Sequence, residues 1–389
     1  MGDGTSTSPL QGQWLPNTFV SLSYGPGIIE EKLRSCLPTP TSKAYIITGT
    51  SLATKTDVIK RIEAILTSTN HGGTFHGIKQ HAQVAQLNQA LHRVQQDPAV
   101  DTLISVGGGS PIDSAKTIIH HISEASGRVL SHIAIPTTLS AAECTDIGGT
   151  TMEDNLKTGI RHPDALPRHI LYDPTAAAFT PITLFLSTGI RALDHAVELQ
   201  YNADASWAPC QLLGLSAIKE LFELLPKYKQ DPGDNDTMTR LFLAAYSTLG
   251  FFGRAMKGSV GLSHTLGYSL GSPYSIPHGV TSCLTLGHVV KLKAQLNDAD
   301  AAPIARILPY LGEQRSGDDV KDAQRVGDRI LGLVKSLGLD TNLTAWGVSK
   351  DEVDTICSRA VGSWMPGEQR SAREEKELQM LRALVVGLF

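Results

Sequence analysis

The fold is decided by the stretch Val106-Gly107-Gly108-Gly109-Ser110-Pro111-Ile112-Asp113-Ser114-Ala115-Lys116. The apolar run 100–106 before the glycines predicts a buried strand, and residues 114–122 after them predict a helix. Glycines at such a turn let backbone N–H groups approach a phosphate, and the start of the helix adds partial positive charge. The pattern predicts a pyrophosphate cradle, with a turn that merely closes a strand–helix unit as the alternative. The spacing of these glycines differs from that of the common Rossmann fingerprint.

Strands and helices alternate on both sides of this unit. Further strands are predicted at 43–48, 73–77 and 131–135, and helices at 28–36, 54–67 and 82–95. Such alternation predicts an α/β domain with a Rossmann-like parallel sheet covered on both faces, and ligands then lie beyond the carboxyl ends of the strands. Three loops should therefore meet at one edge: 48–52, 107–110 and 136–140.

Several side chains at this edge are candidates for cofactor binding. The hydroxyls of Thr137, Thr138 and Ser140 can donate to phosphates or to a nicotinamide, although a plain turn also explains this polar run. Lys157 lies in a predicted hairpin at 155–160 and can reach a phosphate, although a surface lysine is an equally good interpretation.

The second half of the chain is predicted to be entirely helical. Helical patterns follow one another from residue 183 to residue 389, among them 236–256 and 263–270. A chain of 389 residues favours two domains. We predict an α/β nucleotide-cofactor domain at 1–174 and an all-helical domain at 175–389.

Composition restricts the classes of partner and compartment. A net charge of −4 gives no reason to expect nucleic acid, and the absence of an 18-residue apolar run argues against a membrane span. Residues 1–9 lack the pattern of a secretory signal, and the five cysteines never form a C-x-x-C pair. We therefore expect reduced thiols and a cytoplasmic protein.

Three histidines of the helical half stand among apolar or small residues. They are His195 in a predicted mid-helix position, His264 and His278. A single buried histidine is usually a hydrogen-bonded core residue, whereas three in similar surroundings favour a shared site. Spacing alone leaves both interpretations open.

Four ordered motifs now make a family resemblance specific. The glycine stretch 107–116, the run 136–140, the helix segment 192–198 and the segment from His264 to His278 resemble the iron-containing alcohol dehydrogenases, and most of all their maleylacetate reductase-like branch. The resemblance implies the dehydroquinate-synthase-like fold, with the active site between the two domains. It also implies hydride transfer between NAD or NADP and a small carbonyl or alcohol, commonly in a homodimer.

In the metal-bearing members of this family, an aspartate and three histidines hold a divalent ion. The histidines correspond to His195, His264 and His278, but the aspartate corresponds to Arg191. A guanidinium removes an oxygen ligand and repels a cation. Asp194 lies about 100° around the helix from His195 and does not replace the lost ligand. We therefore expect no required metal, as is also implied by the resemblance to maleylacetate reductases.

Two further positions depart from the family pattern. Tyr268 stands where many members have a histidine near the nicotinamide; its hydroxyl can donate to an alkoxide, while a packed aromatic ring is the alternative. Gly49 stands where members that prefer NAD tend to have an aspartate. Without that aspartate, no carboxylate repels a 2′-phosphate, and Ser51 can donate to the phosphate. We therefore expect NADPH to be accepted at least as well as NADH.

These observations lead to a working mechanism. The cofactor lies along Gly107–Ser110 and Thr137–Ser140, with Asp113 and Lys157 close by, and a carbonyl or enone accepts its hydride. Arg191 and the three histidines stabilise negative charge on the oxygen, and Arg191 suits an anionic substrate such as a keto acid. Two alternatives remain: a metal-dependent alcohol dehydrogenase that uses the three histidines, and a non-redox lyase or cyclase on the same scaffold.

Overall fold

The computed structural model describes residues 13–254, 260–364 and 371–389. Within these residues, six parallel strands form one sheet. The strands of this sheet are β1 (Ser21–Tyr24), β2 (Lys43–Thr48), β3 (His71–Phe75), β4 (Val100–Gly107), β5 (Ser131–Pro136) and β8 (His169–Tyr172). Their spatial order is β1-β8-β5-β4-β2-β3. Between β5 and β8, the antiparallel pair β6 (Ile147–Thr151) and β7 (Lys157–Arg161) forms the expected hairpin.

Both faces of the sheet are buried under helices. Ile46 and Ile104 belong to a core cluster on one face, and Ile47 and Leu103 belong to a cluster on the other, because side chains alternate along each strand. The helices of this part are α1 (Ile28–Lys32), α2 (Thr50–Lys55), α3 (Val58–Asn70), α4 (Val84–Gln95) and α5 (Gly109–Ser126). The prediction of a covered parallel sheet is confirmed.

The second part is built from helices. Its central helix, α7 (Ile182–Glu198), is buried from Phe185 to Glu198, and it shares a core with Leu139 and Tyr172 of the first part. Because the largest core cluster contains residues of both parts, the sheet edge and α7 hold fixed positions relative to each other. The helices are α6 (Pro174–Ala177), α7 (Ile182–Glu198), α8 (Leu212–Gln230), α9 (Asn235–Leu249), α10 (Leu262–Tyr274), α11 (His278–Leu296), α12 (Asp298–Ala305), α13 (Asp319–Ser336), α14 (Val353–Trp364) and α15 (Ala372–Gly387).

Some local predictions were wrong. The single helix predicted at 54–67 is two helices, α2 and α3, because Thr56 between them is extended. Strand β8 was not predicted, and α5 begins at Gly109 rather than at residue 114. The segment 1–9, for which no secretory signal was predicted, and the end of the helix predicted at 236–256 lie outside the described residues.

Two simpler expectations concern membrane spans and thiols. Among the residues described here, no helix combines the length and apolar character needed to cross a membrane. All five cysteines are buried and none forms a disulfide, in agreement with the expected reduced thiols. The domain boundary at residues 174 and 175 stays a prediction.

Candidate active site

The carboxyl ends of neighbouring strands bring the predicted cofactor loops together. In the sheet register Gly107 of β4 lies beside Pro136 of β5, and the Thr137 N–H donates to the Gly107 carbonyl at 2.9 Å. On the other side of β4, the Thr48 hydroxyl donates to the Val106 carbonyl at 2.8 Å. The loops after β2, β4 and β5 therefore meet at one edge, as the sequence predicted.

The glycine turn leaves room for a phosphate at this edge. Gly107 has a φ of +135°, which disfavours any other residue. A Cβ on Gly108 would lie 3.2 Å from Thr138 Cγ2, and one on Gly109 would lie 3.3 Å from Ser140 Oγ. The Thr138 Oγ1 and Ser140 Oγ atoms are buried and have no hydrogen-bond partner among the described residues. Two unpaired hydroxyls beside a helix start fit the phosphates of a dinucleotide.

The other predicted cofactor residues lie around this turn. Gly49 directly precedes α2, and Ser51 is exposed on its first turn. Ser110 is half-buried in the first turn of α5. Asp113, one turn further along, faces the hairpin: burial raises the pKa of this carboxyl, while Lys116 and Lys157 oppose that rise.

A buried network on α7 fixes the guanidinium of Arg191. Its Nη1 donates to Ser282 Oγ at 3.2 Å and lies 3.6 Å from Asp194 Oδ2, and the Ser282 hydroxyl donates to the same carboxylate oxygen at 2.6 Å. A Cβ on Gly267 would lie 3.3 Å from Nη1, so α10 passes directly over the guanidinium. Burial alone would raise the pKa of Asp194, but His264, Arg191 and Ser282 together hold it below its usual value.

Glu198, one turn beyond Asp194, holds His264. Its Oε2 accepts a hydrogen bond from His264 Nδ1 at 2.7 Å, and its Oε1 accepts one from the Ser263 N–H at 2.7 Å. Burial and Arg191 lower the pKa of His264, but Asp194 and Glu198 outweigh them and the net shift is upward. Because Nδ1 faces Glu198, the other ring nitrogen Nε2 is free to act on a ligand; it is buried and lacks a hydrogen-bond partner within the described chain.

His195 stacks obliquely on His264, with 4.6 Å between the ring centroids. Burial, together with the charges of His264 and Arg191, lowers the pKa of His195 well below its usual value. Its Nδ1 is also buried, and none of the described residues hydrogen-bonds to it. The two imidazoles and the guanidinium thus form one compact group.

The third histidine contacts the hairpin of the first part. Lys157 Nζ lies 3.1 Å from His278 Nε2, and since an ammonium only donates, Nε2 accepts and Nδ1 carries the ring proton. Lys157 also lies 5.5 Å from the centroid of the Tyr268 ring, which is 44% exposed and therefore not a packed core aromatic. Burial and the charges of Lys157 and Arg191 lower the pKa of His278 well below its usual value.

The structure thus brings Arg191, His195, His264, Tyr268 and His278 together on α7, α10 and α11, beside the predicted cofactor edge. Sequence reasoning did not identify Glu198, which positions His264, or Ser282, which positions Arg191. Glu198 follows His195 by three residues, so its place on the same helix face was a usable signal. A β/α part with a glycine-turn edge is thus joined to helices that carry clustered histidines.

Comparison with known proteins gives the family. The model described as iron-containing alcohol dehydrogenase matches residues 21–174, and that described as Fe-containing alcohol dehydrogenase family, C-terminal, matches residues 185–385. The chain belongs to the iron-containing alcohol dehydrogenase family.

Relatives point to one branch of this family. Maleylacetate reductase 2 of Cupriavidus pinatubonensis is 33% identical over 63% of this chain and 65% of its own length. The maleylacetate reductase of Sphingobium indicum is 28% identical over 81% of this chain and 82% of its own length. Lactaldehyde reductase of Escherichia coli is 26% identical over 82% of this chain and 85% of its own length. The chain is an NAD(P)H-dependent oxidoreductase of the maleylacetate reductase-like branch.

Solved structures show the same fold. The maleylacetate reductase of a Rhizobium species is 22% identical over 98% of both chains, with a TM-score of 0.75. A 1,3-propanediol oxidoreductase is 22% identical over 97% of this chain and 100% of its own, with a TM-score of 0.83. At these identities the likeness concerns the fold alone, and it confirms the predicted α/β and helical parts.

Proposed function

We propose that the protein reduces a small anionic carbonyl compound, such as a keto acid or an enone acid, and that it does so without a bound metal. The observation that carries this proposal is the buried guanidinium of Arg191 among the three histidines. A permanent cation at this point attracts a carboxylate or a developing alkoxide.

The residues present do not fit a divalent ion in the family position. Three imidazoles remain, but the fourth ligand has been replaced by a guanidinium that Ser282 and Asp194 hold in the site. Removing an oxygen ligand and adding a positive charge both weaken cation binding. The proposed chemistry therefore uses groups of the protein and a nicotinamide cofactor, without a metal.

The cofactor site does fit a nicotinamide dinucleotide. The turn Gly107–Gly109, with the hydroxyls of Thr138 and Ser140, would hold its pyrophosphate, and Thr137 would lie beside it. Lys157, which contacts His278, is assigned to the substrate instead. When bound, this cofactor supplies the hydride. Because Gly49 carries no carboxylate and Ser51 is exposed beside it, we propose that NADPH is accepted at least as well as NADH.

The side chains around His278 are proposed to bind the substrate and neutralise its charge. The Arg191 fork donates to a substrate carboxylate, since Ser282 is its single hydrogen-bond acceptor among the described residues. The Lys157 ammonium and the free N–H of His278 stabilise negative charge on the reacting oxygen. The Tyr268 hydroxyl is the proposed donor of the proton that converts this oxygen into an alcohol.

One observation favours a metal-dependent alternative. Ligand atoms of Asp194, Glu198 and His264 all lie within 4.8 Å of one another. Each of these groups, however, already has partners: Asp194 accepts from Ser282, and Glu198 accepts from His264. A cation there would have to displace Arg191 from Asp194, so we prefer the metal-free function.

The test compares a keto acid with its neutral methyl ester. NADPH oxidation is measured with both compounds for the wild type, for Arg191→Ala and for the control Arg240→Ala, which removes an exposed arginine of α9. We expect Arg191→Ala to reduce kcat/KM for the acid by at least about a hundredfold and for the ester by much less, since a charge-assisted bidentate contact is lost. An equal loss for both compounds, or activity that disappears with a chelator, would contradict the proposal.

Two further proposals follow from family membership. We propose that the protein is a homodimer, which light scattering at micromolar concentration tests directly. We also propose a cytoplasmic location, supported by five unpaired buried cysteines. Cell fractionation tests the location, and disulfide-linked protein in an extracellular fraction would contradict it.

A further inference from the structure

The loop between β3 and α4 carries a histidine that no family motif indicates. His81 and Ala82 both have left-handed backbone conformations, with φ values of 66° and 47°. Neither residue is glycine, so both conformations are strained. Strain of this kind persists where the surrounding structure enforces it, and it is common at ligand sites.

Thr151, the last residue of β6, holds the loop in this conformation. Its N–H donates to the Ala82 carbonyl at 3.1 Å, and its hydroxyl donates to the His81 carbonyl at 2.8 Å. The same hydroxyl lies 3.0 Å from Ser272 Oγ of α10. The hairpin that carries Lys157 and the helix that carries His264 therefore both fix the position of His81.

The ring of His81 points into the proposed substrate site. It meets the His278 ring edge-on, at 5.0 Å between centroids and 89° between planes. Both of its nitrogens are buried, and neither has a hydrogen-bond partner in the part of the chain that the structure describes. Burial and the charge of Lys157 lower the pKa of His81 to about 4, so the neutral ring offers one donor and one acceptor.

Purely structural packing does not account for this arrangement. An aromatic ring without nitrogens would make the same edge contact with His278 and would leave no polar atom unpaired. The strained loop instead holds two unpaired ring nitrogens beside Lys157 and His278, as expected of a side chain that binds a ligand. The loop follows β3, which β2 separates from the glycine-turn strand β4. The contact with His278, the first residue of α11, places the ring beside the helical part of the site.

We propose that His81 binds the substrate directly, through a carboxylate or hydroxyl oxygen adjacent to the reacting carbonyl. His81 donates its ring N–H to this oxygen, while Arg191 and Lys157 supply the positive charge. The proposal rests on the proposed carbonyl reduction, and it adds a residue of the α/β part to a substrate site otherwise formed by the hairpin and by helices of the second part.

The test uses variants that separate packing from hydrogen bonding. His81→Phe keeps a ring but no polar atom, His81→Gln restores a donor and an acceptor, and His76→Phe changes an exposed histidine of the same loop as a control. If His81→Phe does not fold, as judged by circular dichroism, His81→Ala replaces it, since it removes both nitrogens without added bulk. Steady-state constants are measured for the keto acid, and NADPH affinity is measured by nucleotide fluorescence.

We expect His81→Phe to raise the KM for the keto acid at least about tenfold, equivalent to ~1.4 kcal/mol, with the NADPH Kd within about twofold of the wild type. His81→Gln should recover most of this loss, and His76→Phe should resemble the wild type. An unchanged kcat/KM for the keto acid in His81→Phe overturns the proposal. A fall in kcat/KM that is explained entirely by weaker NADPH binding also overturns it, because the ring would then belong to the cofactor site. Inactivity of the wild type itself with every carbonyl would overturn the proposed function, and this inference with it.

Discussion

Replacing Arg191 with aspartate is the most informative perturbation of this site. Arg191→Asp places a carboxylate one helical turn before His195 and restores the aspartate and three histidines of the metal-bearing family members. In the wild type, the Arg191 guanidinium lies 3.6 Å from the Asp194 carboxylate, and their side chains are only 8% and 0% exposed. The substitution therefore removes a buried cation and adds a buried anion beside Asp194.

The size of the effect follows from this burial. Breaking a buried ion pair costs about 3–5 kcal/mol, because the remaining charge loses its partner. We therefore expect metal-free Arg191→Asp to lose about 3–5 kcal/mol of its free energy of unfolding. A divalent cation bound only by the folded protein restores part of this, ~2.7 kcal/mol when present at a hundred times its Kd.

The assay is urea unfolding with EDTA or with zinc. His120, Glu124 and His162 form another group of potential ligands on the α/β part, so every protein carries His120→Ala. Arg191→Asn is the matched control, since it removes the cation without adding an anion; it should be destabilised and gain less from zinc than Arg191→Asp. The reasoning is refuted if zinc stabilises the protein with Arg191 intact as much as it stabilises Arg191→Asp. It is also refuted if zinc stabilises neither protein.

Three further predictions concern other parts of the molecule. Gly49→Asp should lower the ratio of kcat/KM for NADPH to that for NADH at least about tenfold, because a carboxylate repels a 2′-phosphate; an unchanged ratio contradicts the cofactor proposal. Lys157→Met should lower kcat about a hundredfold if its ammonium acts beside His278 on the reacting oxygen, whereas a weaker NADPH Kd at constant kcat would assign it to the phosphates. Burial and a nearby lysine lower the pKa of His132 from 6.5 to about 3. As the pH drops below about 6.5, the unfolded chain therefore takes up a proton at this ring before the folded protein does, and the free energy of unfolding falls. Between pH 7.5 and pH 5, the free energy of unfolding measured in urea should therefore fall by ~2 kcal/mol less in His132→Asn than in the wild type. The control is His92→Asn, at an exposed position, which should behave as the wild type does.

The sheet could be predicted largely from local pattern. Residues 43–48 are an apolar run with short flanking loops, and the structure begins and ends β2 at the predicted residues. Strand β8 was missed because its four residues, 169–172, are too few for a periodic signal. It gains its stability from β1 and β5, which lie on either side of it and are distant in sequence.

The site was predictable only where helix geometry or a motif fixes spacing. Arg191 and His195 share a face because they are four residues apart, and this holds in the structure. The bond from Lys157 to His278 joins residues 121 positions apart, and no local pattern indicates it. His81 was missed for the same reason: its position depends on a loop held by Thr151 rather than on a helix or strand.

The charges on α7 explain why the arginine and the two carboxylates depend on one another. Asp194 and Glu198 are both fully buried, and their cationic partners are Arg191 and His264. Without Arg191, Asp194 would keep its hydrogen bond from Ser282, but its remaining cationic partner among the described residues would be His264, whose Nδ1 lies 3.5 Å away and already donates to Glu198. Adding a divalent ion beside an intact Arg191 would instead place excess positive charge in a site with two carboxylates that already have partners. We therefore propose that the guanidinium and a metal exclude each other here, so that the charge balance of α7 decides which of them meets the substrate oxygen.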